Sequence, residues 1–153
     1  MFEDSLNIII FVRIARMCDP YIFNRNFDSM KKVIATENAP KAVGPYSQAI
    51  EVNGTLYISG QIPVNPADGQ VQTESTAAAH QSLKNIGAIL AEAGMTYDNV
   101  VKTTVLLADI ADFKAVNEVY AEYFTGDKPA RACYQAAALP LGVKVEIEAI
   151  AVK

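Results

Sequence analysis

From residue 30 onward the chain has nine lysines and a single arginine, Arg131. A guanidinium presents a planar fork of donors that matches a carboxylate with two parallel hydrogen bonds, which an ammonium group cannot do. On a strand, Cys133 and Gln135 share the face of Arg131 and Tyr134 takes the other. The same arginine would also serve as a rim ion pair. A second candidate lies near the C-terminus. Val143, Val145, Ile147 and Ala149 form one apolar strand face, which leaves Lys144, Glu146, Glu148 and Ile150 on the opposite one. A carboxylate there can act as a general base or hold a water, or simply be solvated. His80, the only histidine, follows three alanines and precedes Lys84 by four residues. That spacing suits an exposed polar helix position, and nothing in the chain supplies the partners of a catalytic triad. There is no GxxxxGK or GxGxxG segment, so nucleotide and dinucleotide sites have no support and cofactor-free chemistry is favoured.

The elements that must position these residues can be read from pattern. Lys32–Thr36 is β-like. Gln48–Val52 and Thr55–Ser59 flank Asn53-Gly54, a strong hairpin signal. Pro63, Pro66 and Asp68-Gly69 make a turn-rich connection. Thr73 or Ser75 then caps a helix whose Ala79, Leu83, Ile86, Leu90 and Ala93 fall on one face, with Gly94 as its C-terminal stop. Val101–Leu107 reads as a strand. Asp109 caps a second helix with Phe113, Val116, Tyr120 and Phe124 inward, closed by Gly126 and Pro129. Strands Arg131–Ala137 and Val143–Ala151 finish the chain around the break at Leu139-Pro140-Leu141-Gly142. The order ββ(β)αβαββ is α+β, with two helices covering one face of a mixed sheet.

Composition narrows the function classes. The 153 residues are 51% hydrophobic and 20% charged, ordinary values for one globular domain. A net charge of −4 leaves no basic surplus for a phosphate backbone, so nucleic acid is not expected as a partner. Cys18 and Cys133 form no CxxC, and one histidine cannot build a zinc cluster, so no metal is expected. Residues 1–29 read as an extension of unknown role ahead of a domain at 30–153. The apolar run Leu6–Val12 is far short of the ~20 residues that span a bilayer. The acidic Glu3 and Asp4 do not suit a signal peptide, so a cytoplasmic protein without membrane contact is expected.

Several ordered segments carry a resemblance. Ile34-Ala35-Thr36-Glu37-Asn38-Ala39-Pro40, Gly44-Pro45-Tyr46-Ser47-Gln48, Ser59-Gly60-Gln61-Ile62-Pro63, Val116-Asn117-Glu118-Val119-Tyr120, Pro129-Ala130-Arg131-Ala132-Cys133 and Val145-Glu146-Ile147-Glu148-Ala149 are spread through Met30 to Lys153. In them the chain resembles the RidA family of reactive imine and enamine deaminases. The resemblance implies a chorismate-mutase-like fold and a homotrimer around a central barrel, with active sites between subunits. It implies hydrolysis of 2-aminoacrylate and other 2-imino acids to 2-keto acids and ammonia, without metal or cofactor. By the same resemblance Arg131 binds the substrate carboxylate and Glu146 positions the attacking water. Tyr46, Ser59, Gly60, Asn117 and Cys133 line the pocket. Cys133 would serve equally as a small buried filler, and Asn117 as a brace for its helix. Ala132, Ala138 and Leu141-Gly142 depart from the family's more usual serine, basic residue and charged pair. Ser59, Arg131, Cys133 and Glu146 are expected together on the sheet face away from the helices, buried against other copies in a closed trimer. A non-catalytic carboxylate-binding or chaperone-like trimer, and an endoribonuclease, are the alternative readings.

Overall fold

The computed structural model describes residues 31–153; the N-terminal extension, Met30 and Cys18 lie outside them. The element order is β1 (Lys31–Ile34), β2 (Ala49–Val52), β3 (Thr55–Gln61), α1 (Ser75–Glu92), β4 (Val100–Leu107), α2 (Phe113–Tyr123), β5 (Ala130–Gln135) and β6 (Val145–Val152). The β2–β3 hairpin turns at Asn53 and Gly54, both with positive φ, and pairs Val52 with Thr55 as a two-residue loop requires. The six strands form one sheet in the order β1-β2-β3-β6-β4-β5. The last strand is therefore a central one. It runs antiparallel to both β3 and β4, while β5 lies parallel to β4 after the α2 crossover.

The helices α1 and α2 pack on each other, and α1 lies on β3 and β6. Leu83, Ile86, Ile89 and Leu90 of α1 share one core with Val145, Ile147, Ala149 and Ala151 of β6, all buried. The opposite residues of β6, Glu146, Glu148 and Ile150, point away from the helices, as the alternation predicts. The fold is α+β, one mixed sheet with two helices. Among the described residues no helix is long and apolar enough to cross a membrane.

The helix starts differ from the sequence expectation. The N-cap of α1 is Glu74, with no side-chain hydrogen bond, because Ser75 is already drawn inside the first turn and buried. Asp109 accepts from the Ala111 N–H at 2.9 Å, capping a short 3-10 turn, Ile110–Asp112, that leads into α2. Gly94 follows α1 with φ of 70°, the left-handed stop its position predicts.

Candidate active site

One group of the expected residues gathers at the junction of β3 and β6. Between Ile58 and Gln61 the β3–β6 register slips, so that Ser59 and Gly60 together face one residue, Glu148. This β-bulge bends β3 and brings the Gly60 backbone against the Glu146 side chain. A Cβ at Gly60 would stand 2.9 Å from Glu146 Cδ and overlap its carboxylate oxygen, so only glycine leaves the carboxylate where it is. Ser59 is tied down on both sides of its Cα. Its hydroxyl donates to the Ser47 carbonyl at 2.7 Å and its N–H to the Gln48 carbonyl at 3.0 Å. Burial, and to a lesser degree the neighbouring Glu148, push the Glu146 carboxyl above the usual carboxylate range.

Tyr46 reaches the same place from the loop between β1 and β2. It is 49% exposed and, with Gly60, Ile62, Val64 and Leu141, lines a cleft of about 360 Å³. Two buried amides set the walls of this cleft. The Gln48 Nε2 donates to the carbonyls of Thr36, Ala39 and Pro40, and its Oε1 accepts from the Thr36 N–H at 2.7 Å. On the other side the Asn85 Nδ2 donates to the Ile62 and Val64 carbonyls at 3.1 and 3.0 Å. Neither amide was singled out from sequence. The available signal was a glutamine directly before a strand and an asparagine on the apolar stripe of α1.

The second group sits at the far edge of the sheet. The parallel β4–β5 register pairs Thr103 with Arg131 and Val105 with Cys133. Thr103 and Val105 are buried on the helix side, so Arg131 and Cys133 project to that side as well. The Arg131 Cζ lies 4.7 Å from the Tyr120 ring centroid and 5.8 Å from that of Phe113, both on α2. The Tyr120 hydroxyl is 2.8 Å from Thr103 Oγ1, which fixes the ring as a platform. Asn117 falls between Phe113 and Tyr120 on the same helical stripe. Phe113 is therefore not an inward core residue. It is partly exposed and faces the arginine. Among the described residues no carboxylate pairs with Arg131. Burial raises the Cys133 thiol above its usual range and Arg131 opposes that less strongly, the reverse of the lowering that activates a thiol.

The expectation that all four strand residues share the face away from the helices holds for Ser59 and Glu146. It fails for Arg131 and Cys133. Alternation along a strand says which residues share a face. Only the pairing register says which face that is. Within one chain, then, the arginine group and the glutamate group lie on opposite sides of the sheet. His80 stands apart from both. It is half-buried rather than exposed, with Nδ1 3.0 Å from the Tyr123 hydroxyl.

Residues 36–153 match the protein family described as endoribonuclease L-PSP. A mouse protein named 2-iminobutanoate/2-iminopropanoate deaminase is 58% identical over 125 residues, covering 81% of this chain and 93% of its own. An Escherichia coli K12 protein of the same name is 50% identical over 127 residues, covering 81% of this chain and 99% of its own. Among solved structures, Escherichia coli TdcF with bound serine is similar at a TM-score of 0.78 and 42% identity, over 80% of this chain and 98% of that one. Yeast Mmf1 is similar at a TM-score of 0.77 and 44% identity, with the same coverage.

Proposed function

This chain belongs to the endoribonuclease L-PSP family, as a member of its RidA deaminases, and on that premise we propose that it hydrolyses 2-imino acids at sites completed between copies of the chain. It is a hydrolytic deaminase, like the mouse and Escherichia coli relatives described above. The observation that carries the reading is the open guanidinium of Arg131, held on Tyr120 with no carboxylate beside it among the described residues.

The chemistry follows from the substrate. A 2-imino acid carries a carboxylate next to an electrophilic C=N carbon. Gripping the carboxylate with a bidentate arginine fixes the molecular plane and brings that carbon to a held water. Glu146 takes a proton as the water oxygen bonds to C2 and the C=N electron pair moves to nitrogen, and it passes that proton to nitrogen to give a carbinolamine; it then relays the hydroxyl proton to nitrogen as C=O forms and the C–N bond breaks, leaving a keto acid and ammonia. A carboxyl whose pKa is raised toward neutrality suits both transfers. Free imines already hydrolyse in water, so one such group, typically worth ~10²–10⁴-fold, is enough. The Gly60 bulge and Tyr46 complete the wall on the glutamate side; Asn117 and Cys133 do so on the arginine side.

The two halves cannot meet within one chain, so the reading requires a second copy. A closed homotrimer around a central barrel answers this, with Arg131 of one copy facing Glu146 of the next. The sheet face away from the helices supports such packing, since among the described residues Tyr57 and Tyr134 stand about half exposed on it beside Leu106 and Ile150, with Glu146 and Glu148 on the same face.

An endoribonuclease activity is disfavoured by the net charge of −4 and by the absence of any arginine besides Arg131 after residue 30. The test is direct. An amino-acid oxidase generates the imine in the presence of semicarbazide, and the protein should suppress semicarbazone formation in proportion to its concentration. Unchanged trapping at micromolar protein would overturn the deaminase reading.

A further inference from the structure

Among the described residues only two other than glycine have positive φ, Asn53 and Leu141. Asn53 is explained by the hairpin turn. Leu141, at φ 57° and ψ 12°, holds a left-handed conformation that leucine rarely adopts. Burial does not offset it, since the residue is 74% exposed. The turn imposes it. Leu139 and Val143 are buried anchors, Pro140 sets the entry, and the Gly142 and Val143 N–H groups donate back to the Leu139 and Pro140 carbonyls at 3.1 and 3.3 Å. Leu141 is thereby forced outward at the crest of the turn, where it forms part of the cleft wall shared by Tyr46, Gly60, Ile62 and Val64. A strained, exposed apolar residue at the mouth of a site is the kind of outlier from which function can be argued.

We propose that Leu141 is a specificity-determining residue. It is the outer wall of an apolar subsite for the substrate side chain, and it makes the enzyme favour 2-imino acids with branched aliphatic side chains over 2-iminopropanoate. The inference rests on the deaminase reading above. Its reasoning is geometric. Gly60, whose backbone abuts the Glu146 side chain, is also a wall of the cleft that extends to Leu141, and that cleft is far larger than the methyl group of 2-iminopropanoate needs. Removing the Leu141 side chain opens that subsite to water and costs a large apolar substituent most.

The experiment compares the full chain with Leu141→Gly, which suits the backbone conformation, and Leu141→Asn, which tolerates it and is polar. Imines are generated from leucine and from alanine, and kcat/KM is measured for each. The leucine-to-alanine ratio is expected to fall about tenfold in both variants, equivalent to ~1.4 kcal/mol of discrimination. Equal losses on both substrates, or an unchanged ratio, would overturn the assignment. Calorimetric binding of 4-methyl-2-oxopentanoate and pyruvate separates this inference from the one beneath it. A wild-type chain that turns over no imine refutes the deaminase reading. The assignment of Leu141 still stands if the wild type binds the branched keto acid more tightly and Leu141→Gly loses that preference, and it falls if the two keto acids bind the wild type alike.

Discussion

Replacing Arg131 with lysine keeps the charge and removes the fork. The exposed guanidinium lies 4.7 Å from the Tyr120 centroid and forms no ion pair with a described carboxylate, so the native state loses little when it goes. Exposed substitutions of this kind stay within about 0.5 kcal/mol of the parent stability. The substrate loses more. One of two charge-assisted hydrogen bonds to its carboxylate disappears, at ~1.5–3 kcal/mol. That loss predicts a fall in kcat/KM of roughly 10- to 150-fold with a nearly unchanged melting temperature. The assay is semicarbazone trapping with oxidase-generated imine, run beside calorimetry of the free protein. Turnover by Arg131→Lys within about threefold of wild type would refute bidentate clamping, because a point charge would then have sufficed.

Glu146→Gln should lower kcat by about 10²-fold or more while pyruvate affinity changes little, and Glu148→Gln should retain turnover; the opposite pattern would mean the wrong carboxylate has been assigned. Because burial and Glu148 raise the Glu146 pKa, and the base must be ionised, activity should fail on acidification at a higher pH than an ordinary carboxylate would give, and Glu148→Gln should move that limb to lower pH in a kcat–pH profile. Gly60→Ala should fold, since the atoms nearest its Cβ all belong to the Glu146 side chain, but by displacing that carboxylate it should reduce kcat by about tenfold or more with a smaller change in KM. Gln48→Met leaves the Thr36 N–H and three carbonyls without their partner and should cost ~2–4 kcal/mol in urea unfolding.

Local signals in the sequence proved sufficient where the physics is local. Asn53-Gly54 specifies its own turn, the apolar spacing from Ala79 to Ala93 specifies the buried stripe of α1, and alternation places Arg131 with Cys133 and Glu146 with Glu148. What failed depends on pairing between distant segments. That β6 inserts between β3 and β4, and that β5 turns Arg131 toward α2, follow from register, which no window of sequence contains. The bulge at Ser59-Gly60 adds one residue to a strand without changing its composition, so it left no trace beyond the glycine itself. His80 looked like a surface position because its partner, Tyr123, lies 43 residues away. The buried amides of Gln48 and Asn85 bond to carbonyls of loops whose paths only the folded chain defines.

The claim on which the account turns is that each site takes its arginine from one copy and its glutamate from another. Co-expressing Arg131→Lys and Glu146→Gln chains in equal amounts, each strongly impaired alone, tests it most directly. In a closed ring with random mixing, about a quarter of the interfaces join an intact Arg131 to an intact Glu146, so the mixture should recover about a quarter of wild-type turnover. Mixed assemblies no more active than either variant alone would contradict a site shared between copies.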